Sequence, residues 1–438
     1  MAGRTDGRQS AGETRRPVIL FFPHYYYLQY EGFLLVMREL QKLECDARMV
    51  LMHSKSFDES AAFTTERLKN EGCPLRVFRP LRLRWRPQWL VTRILQGAGV
   101  AVDSLRMRGF LRRERPDIVV VGSDLGGAYI RLVLDVSRRQ GIPSLILSAV
   151  DYGLAASDQE RGAGAAFPRA IQAISRLLGL SRILFFEGDV LGSYATNSKV
   201  LVPSRAARNG LVKEGIAEER ITVVGNPARD RTAELRKQPK GEVKARVLHA
   251  LGWEGGSLLV VYCTEVIHYV YGLPYLERVN ALLLKKLEGL PVEVRVVVKL
   301  HPRESEESQA EFRTTFRGER FRVVRDQDLL PLLRAADLVV GHFSSVLLDG
   351  MRLDTPILSL NLRGDQRREL LGPDMKLLTI RREADLHKIR DVLYCADFRE
   401  ACQRSAADWL RENGAVSGEG IAPRIASLIK AAALTTHV

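Results

Sequence analysis

Residues Arg334 to Leu360 read RAADLVVGHFSSVLLDGMRLDTPILSL. The apolar run Leu338–Gly341 (LVVG) is bounded by polar residues, as expected for a strand buried on both faces. Two serines follow, and then apolar residues at the spacing of one helix face, which predicts a helix over 345–352. Pro356–Leu360 (PILSL) is a second strand run. Strand, helix and strand in so short a span make a βαβ unit with parallel strands.

The same unit recurs in both directions. Upstream lie the strand runs Leu258–Cys263 (LLVVYC), Val294–Leu300 (VRVVVKL) and Phe321–Val324 (FRVV), with helices expected over 275–288 and 328–335. Nearer the N-terminus lie Pro17–Phe22 (PVILFF), Asp117–Gly122 (DIVVVG), Pro143–Ser148 (PSLILS) and Lys199–Val202 (KVLV). Helical patterns run from Phe33 to Leu43 and over 125–140. The chain therefore reads as α/β, with two doubly wound, Rossmann-like domains in tandem. The expected bounds are a disordered tail over 1–16, a first domain over 17–230, a polar linker over 231–256 with a helical piece, a second domain over 257–397, and a helical segment over 398–438. Two such domains set their strand ends face to face across a cleft, where ligands bind.

Composition agrees with this reading. A chain of 438 residues suits two domains better than one. Its 46% hydrophobic and 27% charged residues exclude bulk disorder. No run of about 18 apolar residues predicts a membrane span, and residues 1–16 lack the apolar centre of a secretion signal. The five cysteines, Cys45, Cys73, Cys263, Cys395 and Cys402, form no CxxC, which points to a reducing cytoplasm rather than a disulfide framework. No metal-ligand constellation is present. The net charge of +14 predicts an acidic partner: nucleic acid, anionic lipid or a phosphorylated ligand. No nucleic-acid-binding motif supports the first.

Three motifs stand where strands become loops. Lys299-Leu300-His301-Pro302 ends a strand, and Pro302 keeps His301 extended, with its imidazole at the sheet edge. Gly341-His342-Phe343-Ser344-Ser345 joins a strand to a helix start, where hydroxyls and free N–H groups favour an anion. Val223-Val224-Gly225-Asn226-Pro227 is a turn after a strand. The plain alternatives are a solvated strand-end histidine, ordinary N-capping and a simple turn.

In this order the motifs resemble the two-domain GT-B glycosyltransferases of bacterial surface-polymer synthesis. By motif, the resemblance is to the glycerophosphate transferases of teichoic-acid synthesis and the capsule sialyl- and Kdo-transferases, which carry His-Pro and Ser-Ser motifs. Val200–Pro227 is also similar to the segment that closes the first domain of many GT-B enzymes. The resemblance covers about 200–362. It implies a GT-B fold whose C-terminal helix crosses back to the first domain. It also implies a metal-independent transferase without a cofactor, acting on a nucleotide-sugar or CDP-glycerol-type donor and a glycan or lipid-linked acceptor. Carried onto this sequence, it places His301, with Lys299 beside it, on the donor phosphate. Ser344 and Ser345 would bind the same phosphate, Thr264 and Glu265 would line the site, and Asp349 would hold the ribose or the nucleotide. Where the glycerophosphate enzymes carry Asp-Tyr before the serines, this chain has His342-Phe343.

The catalytic base is expected from the first domain. His24 follows the first strand, Asp124 follows DIVVVGS, and Asp151 follows PSLILSAV; His24 and Asp124 rank ahead of Asp151. The structural alternatives are aromatic-loop packing for His24 and N-capping for Asp124. Residues 76–115 are rich in arginine, with Trp85 and Trp89 among them, and 167–186 form a second basic amphipathic stretch. Both suit an anionic membrane surface, so a cytoplasmic protein, peripheral on the inner face of the membrane, is expected. A solvated arginine face is the plain alternative. Two rival functions remain open. One is a nucleotide-sugar epimerase similar to UDP-N-acetylglucosamine 2-epimerase, and the other is a non-catalytic module that binds a glycan or a membrane.

Overall fold

The computed structural model describes residues 15–23, 27–52, 68–81, 90–125, 128–148, 183, 190–254, 256–302, 304–364, 371, 375–413 and 420–435. His24, Asp151, Arg82, Arg84, Arg86, Trp85, Trp89 and nearly all of 167–186 lie outside these residues.

The first sheet has seven strands in the order β3-β2-β1-β4-β5-β6-β7. They are β1 Val18–Phe22, β2 Asp46–Met52, β3 Leu75–Phe78, β4 Ile118–Val121, β5 Ser144–Leu147, β6 Lys199–Val202 and β7 Ile221–Val223. The pairings among β1 to β5 are all parallel. β1 and β4 are central, and Ile19–Phe22 and Ile118–Val121 are buried throughout. That explains their unbroken apolar sequence, since a parallel strand covered on both faces has no polar side to show.

The second sheet has six strands, all paired in parallel, in the order β10-β9-β8-β11-β12-β13. These are β8 Leu258–Cys263, β9 Val294–Lys299, β10 Phe321–Val324, β11 Leu338–Gly341, β12 Ile357–Leu360 and β13 Thr379–Ile380. Val260, Val261, Val296, Val297, Val298 and Val339 are fully buried at its centre. Burial of such a side chain contributes roughly 1.5–3 kcal/mol. The chain divides into two compact units. β1 to β5 and residues 422–434 of the last helix belong to the first, and Leu201–Ile421 belongs to the second.

Residues 231–256, read from sequence as a linker, are not an open connector. Arg229–Lys237 and Lys240–Ala250 are helices, and Val243, Val247 and Leu248 are buried in the second core. The polar residues that made the stretch look solvated occupy the outer faces of these helices. The C-terminal region is helical as expected, with helices Lys388–Tyr394, Ala396–Glu412 and Ile421–Leu434. Within the first unit, Lys430 Nζ on the last helix donates to the Leu43 carbonyl at 2.9 Å.

Candidate functional site

In the second sheet β8 leads to β9 on one side, and β11 pairs on its other side. The strand order therefore reverses between β8 and β11, and the loops beyond their C-terminal ends make the natural ligand crevice. Register aligns three of these ends. Cys263 pairs with Gly341 on one side and with Lys299 on the other. Thr264 and Glu265, Leu300 and His301, and His342 to Ser345 thus leave the sheet along one edge. The structure brings together all the second-domain residues singled out from sequence except Asp349, which sits in the helix behind.

Glu304 organises this edge. Its carboxylate is buried and accepts from Thr264 Oγ1 at 2.8 Å and from the Ser308 hydroxyl. Its N–H donates to the His301 carbonyl at 3.0 Å, and its own carbonyl accepts from Gln309 Nε2 at 2.9 Å. Thr264 Oγ1 in turn accepts the His301 N–H at 2.9 Å. The backbone of the His-Pro turn is thereby clamped from both ends, while the His301 ring is half-buried. His268 Nδ1 lies 3.5 Å from Glu304 Oε2, and its ring is buried with no hydrogen-bond partner among the described residues. Burial pushes the Glu304 carboxyl above its ordinary range, against the opposing pull of the Ser308 and Thr264 hydroxyls and the imidazole.

Ser344 and Ser345 precede the helix Val346–Arg352. Their carbonyls take the Leu347 and Leu348 amides at 3.1 and 3.0 Å. Ser345 is exposed, has helical dihedrals and makes no side-chain capping bond. The capping weighed as the plain alternative falls instead on Ser344, whose Oγ accepts the Val346 amide at 3.5 Å. Gly341 lets the strand end close to this turn, because a Cβ there would stand 3.3 Å from Leu347 Cδ2 and 3.5 Å from the Cys263 carbonyl. The adjoining His342 is structural. Its ring is buried, Nε2 lies 3.0 Å from the Tyr262 hydroxyl, and burial pulls its pKa down to about 4. It is a neutral imidazole at ordinary pH.

The remaining residues are already engaged. Lys299 Nζ donates to the Arg325 carbonyl, and burial lowers its pKa. Asp349 Oδ1 accepts from Arg352 Nη1 at 2.9 Å, one turn further along the same helix. In the first unit, Asp124 is fully buried. Its Oδ1 accepts from the Gly192 amide at 2.8 Å, and its Oδ2 accepts from the Tyr194 and Ala195 amides at 2.9 Å each. Asp124 is not the N-cap weighed from sequence but the clamp that ties the β4 loop to 192–195. Sequence reading missed Glu304, His268 and Ser308. The one sequence signal for Glu304 is its place three residues after His301, next to the N-cap Ser305. Among the described residues no group of three or more His, Cys, Asp or Glu side chains is placed to hold a metal ion.

Comparison with known proteins follows the same division. Residues 32–227 match the model of the glycosyl transferase 4-like domain, and residues 195–404 match that of UDP-N-acetylglucosamine 2-epimerase. No curated protein sequence matches this chain. Among solved structures, UDP-GlcNAc 2-epimerase from Neisseria meningitidis bound to UDP-GlcNAc aligns with a TM-score of 0.55 and 16% identity, over 96% of this chain and 100% of that one. A glycosyltransferase from Rickettsia africae aligns with a TM-score of 0.57 and 11% identity, over 96% and 99%. HepE from Anabaena, in complex with UDP and glucose, aligns with a TM-score of 0.54 and 15% identity, over 95% and 100%. With its two parallel, doubly wound sheets and near-complete alignment to these neighbours, the chain has the GT-B fold.

Proposed function

We propose that the chain is a nucleotide-sugar enzyme that grips a UDP-sugar at the C-terminal edge of its second sheet, and that its reaction is of the UDP-N-acetylglucosamine 2-epimerase type. One observation carries the reading: Thr264, His301 and the Ser344–Ser345 turn leave the sheet along a single edge at its switch point. Hydroxyls, an imidazole and a helix start on one edge suit a diphosphate. The epimerase-model match over 195–404 spans this whole edge, and the Neisseria and Anabaena neighbours were solved with uridine nucleotides. These matches favour uridine nucleotide sugars over the CDP-glycerol, sialyl or Kdo donors that the Ser-Ser resemblance implied. In this reading His301 and the serine turn hold the diphosphate, and Glu304 sets their geometry through Thr264.

Glycosyl transfer to a glycan or lipid-linked acceptor is the second reading, favoured by the glycosyl transferase 4-like match over 32–227. Charge builds on the phosphate as a sugar departs from it, so the same edge would stabilise that transition state. One experiment separates the two. The protein is incubated with UDP-N-acetylglucosamine alone and followed by proton NMR. Signals of the 2-epimer without acceptor establish epimerisation. Release of UDP only when an acceptor is added establishes transfer. Failure to bind UDP in calorimetry removes both.

A further inference from the structure

The helix Leu90–Glu114 lies against β3, with Phe110 packed on Phe78 at 5.9 Å and Asp103 accepting the Leu81 amide at 2.8 Å. Its inward positions Val100, Asp103, Met107, Phe110 and Leu111 are buried. Its outward positions Val102, Leu105, Arg106, Arg108, Arg112 and Arg113 are all exposed, Leu105 to 69%. Val77 and Leu81 on the neighbouring strand segment are exposed as well. Both carboxylates of this stretch are consumed. Asp103 is buried against Arg106 at 2.7 Å, and Glu114 pairs with Arg48 at 2.6 Å. The outer face over 99–113 therefore shows arginines and bare aliphatic side chains, with no exposed acid.

We propose that this face docks on an anionic lipid bilayer, its guanidinium groups on headgroup phosphates and Leu105 and Val102 dipped into the interface. A rigid helix that holds aliphatic groups outward among cations matches a surface that is both negatively charged and apolar just beneath. A second copy of the chain fits poorly, because the two faces would set arginines against arginines. Nucleic acid would answer the arginines but not Leu105.

The test is co-sedimentation of the full chain with vesicles of phosphatidylcholine alone, and of phosphatidylcholine mixed with phosphatidylglycerol. The expected result is partition into the anionic vesicles only, weakening as salt rises. The double variant Arg108→Gln/Arg112→Gln should lower that partition by about tenfold or more at low salt. Leu105→Ser should lower it while sparing its salt dependence. Both variants should melt with the wild type and bind UDP unchanged. Equal partition into neutral vesicles, or variants that sediment like the wild type, overturns the proposal. So does self-association in light scattering that Leu105→Ser abolishes, which assigns the face to a second copy. Binding of duplex RNA that needs the arginines but not Leu105, with no vesicle binding, assigns it to nucleic acid.

Discussion

Glu304 is a buried carboxylate that accepts hydroxyl protons at both oxygens. Glu304→Gln replaces one acceptor by an NH2 donor, so one of the two hydroxyls loses the acceptor for its proton. The expected loss is about 1–3 kcal/mol in urea unfolding, together with weaker UDP binding in calorimetry, because Thr264 no longer holds the His301 amide. His301→Ala should do the reverse. His301 is only half-buried, so stability should move by no more than about 1 kcal/mol while UDP affinity falls tenfold or more. His342 makes a pH prediction. Its folded pKa of about 4 lies below the ordinary 6.5, so the unfolded chain takes up the proton first. Its contribution is fully present above pH 6.5 and is lost as pH falls from 6.5 towards 4, to a total of about 3 kcal/mol. His342→Gln should flatten that slope in urea titrations across this window.

At the scale of elements, the helix Val346–Arg352 is held to β12 by a close approach. A Cβ on Gly350 would stand 2.9 Å from Ile357 Cγ2. Alanine normally stabilises a helix interior by about 1 kcal/mol over glycine, but here overpacking should win. Gly350→Ala is expected to cost roughly 1–3 kcal/mol in thermal unfolding and to weaken UDP binding by displacing the serine turn. The elements also show which parts of the fold a sequence reveals. Leu258–Cys263 and Leu338–Gly341 have the same ends in sequence and structure, because strands covered on both faces are written in unbroken apolar residues; Phe321–Val324 also keeps its ends, although it is an edge strand with Arg322 inside it. β2 was not legible, with Arg48 interrupting it, and neither was β3, an edge strand with Arg76 and Val77 exposed. The edge motifs were visible because strands stop there. Glu304 and His268 were not, because a glutamate in a loop becomes a buried hub only through the packing of β8, β9 and the helix Glu306–Thr315.

At the scale of the whole molecule, among the described residues no helix is long and apolar enough to cross a membrane. The last helix is a structural part of the first unit. Ile425, Ala426, Ile429 and Ala433 are fully buried, and Lys430 reaches the Leu43 carbonyl. Removal of the residues from Ile421 onward should expose that apolar face, giving a lower first melting transition and aggregation in light scattering. The split also orders events at the ribosome. β1 to β5 emerge early, but the last helix of the same unit is made only after the whole second unit, a delay of roughly half a minute at ordinary translation rates. The second unit is nearly continuous in sequence and can close during that interval. The half synthesised first is therefore the half completed last, and a nascent chain stalled before Ile421 would hold its first unit unfinished for chaperones to find.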